Sequence, residues 1–157
     1  VELLLRHMER YFDKRMRQTP LPLTLKTECV GCCSVVGDEH LLRFLMESVV
    51  DAAFQQTGSD ESSILTLTVK EECDYVRFTF TDKRGVYTQD YLNTLFYPDL
   101  HRMLSDESGK LKGIHYLLAK QIIRDHEELC NHRGCRINAE VNPDGAGYVL
   151  WFTLRNK

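Results

Sequence analysis

The sequence has no apolar run of about 18 residues, the length that a membrane-spanning helix requires. We therefore expect no membrane-spanning helix and no direct contact with a membrane. The formal net charge is only −3, so the chain lacks the basic field that attracts nucleic acid, and no nucleic-acid partner is expected. It also lacks internal repeats and low-complexity tracts. A chain of 157 residues fits one domain with its own core, so residues 1–157 are predicted to form a single domain.

The cysteines do not have the spacing of a small secreted disulfide framework, and a chain of this length does not need one. We expect the six thiols to be free in a reducing cytosol. An alternative is a zinc site, because zinc takes four thiolate or imidazole ligands in a tetrahedron. Its ligands would come from Cys29, Cys32 or Cys33, Cys130, His132 and Cys135. On a strand, however, Cys32 and Cys33 would point to opposite faces and could not both bind one metal.

Hydrophobic periodicity predicts a mixture of helices and strands. Helical spacing is found over 1–18, after an N-cap at Asp38, near 89–96 and over 113–129. Strand alternation is found at 23–30, 65–69, 76–80, 136–141 and 148–154. A short turn joins the second and third of these strands, which should therefore be antiparallel. We predict an α+β fold, a two-layer α/β sandwich in which a mixed, mostly antiparallel sheet packs against helices.

Two of the predicted helices have an apolar side that should be buried. In the helix after Asp38 this side consists of Leu41, Leu42, Leu45, Met46, Val49 and Ala52. In the helix at 113–129 it consists of Ile114, Leu117, Leu118, Gln121, Ile122 and Leu129. The late histidines His115, His126 and His132 are expected to be structural or at the surface rather than catalytic.

Glu47 and Asp51 lie four residues apart on the helix after Asp38, so they share one face. Like charges at this spacing repel by roughly 0.2–0.5 kcal/mol unless a cation lies between them. The pair is therefore either part of a solvated acidic face or a magnesium site, because hard cations take carboxylate oxygens.

Four stretches follow one another along the chain: ESVVDAAFQ, TDKRGV, LNTLFYPDL and GKLKGIHYLLAKQIIRDH. In this order, and with the final hairpin RINAEVNPDGAGYVLWFTL, the chain resembles the ATP-binding domain of sensor histidine kinases, in the GHKL ATPase group. The resemblance covers residues 1–157. It implies the histidine-kinase-like ATPase fold, ATP and Mg²⁺ as cofactors, and transfer of a phosphoryl group to a histidine of another domain.

The first stretch resembles the family's N-L-L-x-N-A pattern. By resemblance, Asp51 stands at the position of the magnesium-binding asparagine. Glu47 stands at the partner position, which in related ATPases holds a glutamate that activates water. Glu47 is thus the implied catalytic residue and a second metal ligand. Phe54 replaces the usual lysine, so the positioning of the phosphates is in question.

The second stretch resembles a D-x-G-x-G pattern that follows a strand. By resemblance, Asp82 accepts a hydrogen bond from the adenine amino group, and Gly85 is the one glycine that remains. Taken alone, an aspartate and a glycine after a strand indicate a turn. Arg84 could narrow the adenine pocket or pair with Asp82.

The third stretch resembles the family's phenylalanine motif, in which Phe96 would anchor the nucleotide lid. The fourth resembles G-x-G-L-G-L at a helix start, where glycines let the backbone approach the phosphates. By resemblance, Gly109 and Gly113 remain there, and Lys110 and Lys112 could compensate by charge for the lost glycines. These lysines could equally be solvated charges of a lid.

Two functions compete, and a redox or zinc sensor that uses the cysteines is a third, less favoured interpretation. The first is an ATP-binding domain that presents Mg-ATP to an upstream dimerisation and phosphoacceptor domain of the same protein, with a response regulator as a further partner. The second is a degenerate domain that no longer binds ATP and signals through protein contacts. It is motivated by the loss of three glycines of the family, two of them replaced by Leu111 and His115, and by Phe54 in place of a basic residue. His7 does not fit the phosphoacceptor motif. We therefore expect the chain to be a fragment of a longer protein, located in the cytoplasm.

Overall fold

The computed structural model describes residues 1–55, 63–97, 112–131 and 133–157, and at 112–115 it describes the backbone only. The helices in these ranges are α1 (Glu2–Gln18), α2 (Glu39–Gln55), α3 (Gln89–Thr94) and α4 (Lys112–Leu129). The strands are β1 (Leu23–Val30), β2 (Ser63–Glu72), β3 (Tyr75–Asp82), β4 (Ile137–Val141) and β5 (Tyr148–Arg155). Each of these elements had been predicted from periodicity, within a few residues of these bounds.

The strands form one sheet in the order β1-β2-β3-β5-β4. Only β1 and β2 run parallel, and the other neighbouring pairs are antiparallel. The helices α1 and α4 contact strands of the sheet, and α2 lies between these two helices with its buried side chains in the same core. The predicted α+β class and the mixed, mostly antiparallel sheet are confirmed.

The core lies between the sheet and this helical layer. Alternate side chains of the three central strands are almost completely buried: Leu65, Leu67, Val69, Val76, Phe78, Phe80, Leu150, Phe152 and Leu154. Phe78 and Phe152 are register partners, and their rings stack with centroids 4.7 Å apart. The period of two along each strand therefore places one complete apolar face against the helices.

The predicted buried side of α4 is wrong in part. Leu117, Leu118 and Leu129 are exposed, and Gln121 is exposed with them. The helix instead buries Ala119, Ile122, Ile123 and His126. These four follow the i, i+3, i+4, i+7 spacing of one helix face, and a histidine completes it because both its ring nitrogens find partners.

His126 connects α4 to the start of α2. Its Nδ1 lies 2.7 Å from the Ile122 carbonyl oxygen, and its Nε2 lies 3.0 Å from the Asp38 amide nitrogen. The neutral tautomer that donates from Nδ1 and accepts at Nε2 satisfies both contacts. A Cβ on Gly37 would lie 2.6 Å from the ring, so glycine is needed for this close approach.

The start of α2 is as predicted. The Asp38 carboxylate accepts hydrogen bonds from the amides of His40 and Leu41, at 2.8 and 3.0 Å. Its pKa lies below the usual value, chiefly because the Leu41 amide donates to the charged form. Leu41 itself is partly exposed, contrary to the prediction, whereas Leu42, Leu45, Met46 and Val49 are buried. Within the described ranges, no helix has both the length and the apolarity to cross a membrane.

Candidate functional site

Asp82 is the buried carboxylate of the molecule's candidate site. It is the last residue of β3, where it pairs with Leu65 of β2 and Tyr148 of β5. Only 1% of it is exposed. A carboxylate removed from water in this way requires a positive partner or several hydrogen-bond donors.

Arg84 supplies that partner from two residues further along the chain. Its Nε donates to Asp82 Oδ1 at 2.9 Å and its Nη2 to Asp82 Oδ2 at 2.7 Å, so the guanidinium holds both oxygens. The Arg84 amide adds a third bond to Oδ1 at 3.0 Å. Nη2 also donates to the carbonyl oxygen of Ala53 on α2 at 2.7 Å. Of the two possibilities raised by the sequence, pairing with Asp82 is the one observed.

The pair is a strong one. Burial is the largest single influence on the pKa of Arg84 and would lower it, but the hydrogen bonds to Asp82 and the Asp82 negative charge together hold the pKa above its usual value. Bidentate pairing of a guanidinium with a carboxylate is among the stronger charge-assisted arrangements. Arg84 therefore occupies the atoms of Asp82 that an adenine amino group would have to reach.

Two glycines shape the turn beside this pair. Gly85 has φ +77°, and its carbonyl oxygen accepts from the Gly147 amide at 2.8 Å. A Cβ on Gly147 would lie 1.9 Å from the Asp82 carbonyl oxygen. Gly147 is therefore needed for the close approach of the two chain segments. Gly147 was not among the residues predicted from the sequence, although Asn142-Pro143-Asp144-Gly145 is a turn pattern and Gly147 stands two residues after it.

Aromatic side chains surround the Asp82–Arg84 pair. The rings of Tyr87 and Tyr148 meet edge to face at 5.3 Å, and those of Phe96 and Tyr116 at 5.9 Å. The hydroxyls of Tyr116 and Tyr148 are hydrogen-bonded to each other. Burial raises the pKa of Tyr116 to about 12 and that of Tyr148 well above its usual value. Both phenols are therefore neutral at physiological pH.

Phe96 is buried at the end of the α3 region, as expected of an aromatic anchor. Its neighbour Tyr116 belongs to α4, so this contact joins the segment after β3 to α4. The assignment of Phe96 to nucleotide binding stays a prediction.

Glu47 and Asp51 face α1 in the structure. Glu47 Oε1 lies 2.7 Å from His7 Nε2. The Tyr11 hydroxyl donates to both oxygens of Asp51, at 3.0 and 3.1 Å, and Arg15 Nε lies 3.0 Å from Asp51 Oδ1. Burial and the Asp51 carboxylate raise the pKa of Tyr11 to about 12. The roles of Glu47 as catalyst and of both carboxylates as metal ligands stay predictions, and both groups already have partners on α1.

The side of α2 nearest α4 carries Ser48. With Val49, Tyr116, Ala119 and Leu150 it lines a small apolar cavity between the two helices. The Ser48 hydroxyl donates to the Phe44 carbonyl oxygen at 2.8 Å. Moving the N-L-L-x-N-A comparison by one residue aligns it with SVVDAA, with Ser48 and Ala52 in place of the two asparagines. Helix periodicity could have revealed this register, because Glu47 and Asp51 point away from the apolar side.

The remaining predicted site residues lie wholly or partly outside the described ranges. Gly109 and Lys110 lie outside the described residues. Lys112 and Gly113 begin α4, and only their backbone is described. His132 of the zinc alternative also lies outside, and the described residues contain no group of three or more potential metal ligands. Cys29, Cys32 and Cys33 do not share a strand, since β1 ends at Val30.

Comparisons with solved structures identify the fold. The chain superposes on the catalytic domain of histidine kinase ThkA with a TM-score of 0.76 and 18% identity, covering 99% of this chain and 92% of that one. The mycobacterial sensor histidine kinase MprB matches with a TM-score of 0.72 and 13% identity, covering 98% of this chain and 94% of that one. Full-length ShkA in complex with AMPPNP matches with a TM-score of 0.73 and 16% identity, covering 99% of this chain and 30% of that one. ThkA in complex with the response regulator protein TrrA also matches, with a TM-score of 0.70, 18% identity and coverage of 100% and 40%.

None of the protein-family models compared with the sequence matches it, and no curated protein is significantly similar to it. At identities of 13–18% the likeness concerns the fold. The chain thus has the fold of the catalytic domains of sensor histidine kinases, as the resemblance implied.

Proposed function

We propose that this chain is a histidine-kinase-type domain whose nucleotide site is closed by its own side chains, and that it acts through contacts with other protein domains. The observation that carries this proposal is the buried pair of Asp82 and Arg84. Both oxygens of Asp82, which would accept from the adenine amino group, already accept from the Arg84 guanidinium. Nε donates to Oδ1 at 2.9 Å and Nη2 donates to Oδ2 at 2.7 Å.

Binding of adenine at Asp82 would require this pair to open. Removing the guanidinium leaves a carboxylate that is 1% exposed without its charge partner. Breaking one side of a buried ion pair typically costs about 3–5 kcal/mol. A hydrogen bond from a neutral adenine amino group returns only part of that, about 1.5–3 kcal/mol for a bond to a charged group. A single hydrogen bond from adenine therefore does not offset the opening of the pair.

The metal side of the site leads to the same conclusion. A magnesium ion at Glu47 and Asp51 would compete with the contacts that these carboxylates make with His7, Tyr11 and Arg15 of α1. The side chain that α2 presents toward α4 is Ser48, which is a neutral and weaker ligand for a hard cation. In this proposal Glu47 and Asp51 hold α1 against α2.

The proposed partners are those that the resemblance to sensor histidine kinases implies. We propose a cytoplasmic signalling protein of the two-component type, in which this domain contacts an upstream dimerisation and phosphoacceptor domain. The structural neighbour ThkA is described in complex with a response regulator protein, which supports a response regulator as a further partner.

A second candidate is an ATP-binding domain with kinase activity. It is favoured by the likeness to full-length ShkA, which is described in complex with AMPPNP. In this candidate Arg84 swings away and Asp82 accepts from adenine beside Gly85 and Phe96. Lys110 and Lys112, with Gly109 and Gly113, lie around the phosphates, and Glu47 and Asp51 bind Mg²⁺, with Glu47 as catalyst.

A thermal-shift titration separates the two candidates. A ligand that binds only the native state stabilises it by about 2.7 kcal/mol when present at 100 times its Kd. We expect no rise in the Tm of the wild-type chain with Mg-ATP at millimolar concentration. A magnesium-dependent rise that disappears in Asp82→Ala would contradict the closed site and support the kinase.

The variant Arg84→Gly provides the complementary test. Removing the guanidinium frees the Asp82 carboxylate, so an adenine nucleotide should raise the Tm of this variant above its own ligand-free value. The matched control is Arg124→Gly. Arg124 lies on α4 with 70% of its side chain exposed, so its removal also deletes a guanidinium but leaves the buried Asp82–Arg84 pair intact. A response in Arg124→Gly equal to that in Arg84→Gly would rule out the proposed closure by Arg84.

A further inference from the structure

Cys29 and Cys33 are brought together by a reversal of the chain at the end of β1. Cys29 is the last residue but one of that strand. Gly31 follows with φ +97°, a left-handed conformation that favours glycine. The reversal turns the Cys33 thiol back toward the strand, where it lies 3.4 Å from the Val30 carbonyl oxygen.

The two thiols lie on the same turn. Cys29 Sγ lies 4.0 Å from the Gly31 carbonyl oxygen and Cys33 Sγ lies 3.4 Å from the Val30 carbonyl oxygen, so the two sulfurs contact neighbouring peptide groups. A disulfide needs two sulfurs whose side chains already point at one another, because large backbone movements store strain. Cys29 and Cys33 are four residues apart on either side of the Gly31 turn, so the turn itself brings their side chains to one place at the end of β1.

The two cysteines differ in accessibility. Cys29 is exposed, whereas Cys33 is half-buried. Burial, the contact with Cys29 and the nearby Glu71 carboxylate raise the pKa of Cys33 to about 11. Cys33 is therefore a protonated thiol at neutral pH, and Cys29 is the sulfur that a small oxidant reaches first.

We propose that Cys29 and Cys33 form a redox site, a dithiol that closes to an intramolecular disulfide when it meets a peroxide. The Cys29 thiolate attacks one peroxide oxygen, the O–O bond breaks, and the departing hydroxide is protonated to water. The resulting Cys29 sulfenic acid is attacked by the Cys33 sulfur. The S–O bond breaks, and the hydroxide leaves with the Cys33 proton as a second water. The dithiol is oxidised by two electrons and the peroxide is reduced.

The position of the pair gives the disulfide a structural consequence. The residues directly after Cys33 pair with the end of the chain: the Lys157 amide donates to the Ser34 carbonyl oxygen at 2.8 Å, and the Val36 amide donates to that of Arg155 at 3.1 Å. A bond between Cys29 and Cys33 would tie this pairing to the edge strand β1. The site is independent of the Asp82–Arg84 pair, so its test does not depend on nucleotide binding.

The experiment oxidises the reduced 157-residue chain with hydrogen peroxide and follows free thiols and intact mass. The background variant is Cys32→Ser, because Cys32 is also exposed and adjoins Cys33. Serine variants are needed because no Lys or Arg lies between Lys26 and Arg43, so trypsin leaves all three cysteines in one peptide. We expect Cys32→Ser to lose two thiols per chain and a mass equal to two hydrogen atoms, and dithiothreitol to restore both.

Adding Cys29→Ser or Cys33→Ser to that background should abolish the paired loss of thiols. Adding Cys73→Ser is the matched control, since Cys73 is exposed in the turn between β2 and β3, and it should leave the loss unchanged. Circular dichroism checks that each variant is folded. The proposal is overturned if Cys32→Ser loses no thiol pair, if the loss survives in both double variants, or if the disulfides join two chains.

Discussion

Asp82 shows at the scale of one residue how burial determines chemistry. A carboxylate that is 1% exposed needs compensation, and the Arg84 guanidinium provides it from two residues away. The same guanidinium reaches the Ala53 carbonyl oxygen and so ties the end of β3 to α2. A carboxylate that the resemblance assigns to adenine recognition is thereby part of a contact between β3 and α2.

We expect Arg84→Ala to lower the free energy of unfolding by about 3–5 kcal/mol, because it leaves a buried charge without its partner. Urea denaturation measures this. The control Arg124→Ala removes an exposed arginine that lies 4.0 Å from Glu128, and such pairs contribute about 0–1 kcal/mol. The double variant Asp82→Ala/Arg84→Ala should recover part of the loss, since the unpaired charge is gone. Equal effects of Arg84→Ala and Arg124→Ala would show that the buried pair contributes little.

At the scale of an element, α2 is the helix on which the site depends. It lies between α1 and α4, and each side has a separate role. Glu47 and Asp51 bind groups of α1, whereas Ser48 adjoins α4. Its start is held twice, by the Asp38 side chain as N-cap and by the His126 ring that accepts from the Asp38 amide.

The N-cap gives α2 a predictable pH dependence. The pKa of Asp38 is lowered in the folded state, chiefly by the Leu41 amide, relative to about 3.9 for an unfolded aspartate. The stabilisation by this carboxylate is thus complete above about pH 3.9 and is lost as the pH falls through the lowered folded-state pKa. We expect Asp38→Ala to lower the Tm near neutral pH, and its difference from wild type to shrink in acid.

The control for this prediction is Asp38→Asn. Asparagine caps helices about as well as aspartate but does not titrate, so the variant should keep the cap at every pH. Thermal unfolding between neutral pH and acid compares the three proteins. A difference between wild type and Asp38→Ala that stays constant across this range would show that the carboxylate charge does not contribute to the cap.

At the scale of the whole molecule, stability is distributed unevenly by the order of the sheet. β3 lies at the centre, hydrogen-bonded to β2 on one side and β5 on the other. β1 and β4 each have one neighbouring strand within the described sheet. Most residues of β1 after Leu23 are exposed or half-buried, whereas β3 alternates half-buried and fully buried residues along its length.

Native-state hydrogen exchange should reproduce this order. We expect the amides of β3 to exchange slowest, at the rate of global unfolding, because both rows of their hydrogen bonds lie inside the sheet. The amides of β1 and β4 should exchange faster through local opening. Mass spectrometry of exchanged peptides makes the comparison. Protection of β4 equal to that of β3 would contradict the prediction and indicate that the whole sheet opens as one unit.

The elements could be predicted from the sequence because their signals are local. Leu65, Leu67 and Val69 alternate within one strand, and the capping preference of Asp38 depends on residues two and three positions away. The histidine-kinase-like fold was predicted from the resemblance to that family, which rests on four stretches that follow one another in the family's order. The buried side of α4 was partly mispredicted because Leu117, Leu118 and Leu129 are apolar yet exposed, and only packing shows which side meets the sheet.

The sequence by itself determined the kinds of element, the α+β class and the position of Asp82 at the end of a strand, since these depend on short-range periodicity. The tertiary structure decided which partner each charged or polar group takes. Asp51 meets Tyr11 across 40 residues of chain, and His126 meets the Asp38 amide across 88. Such pairings depend on which faces of the helices meet, and a change of one residue in helical register turns a side chain by about 100°. For that reason the contacts of the α2 carboxylates with α1 appear only in the tertiary structure, while their role as metal ligands stays a prediction.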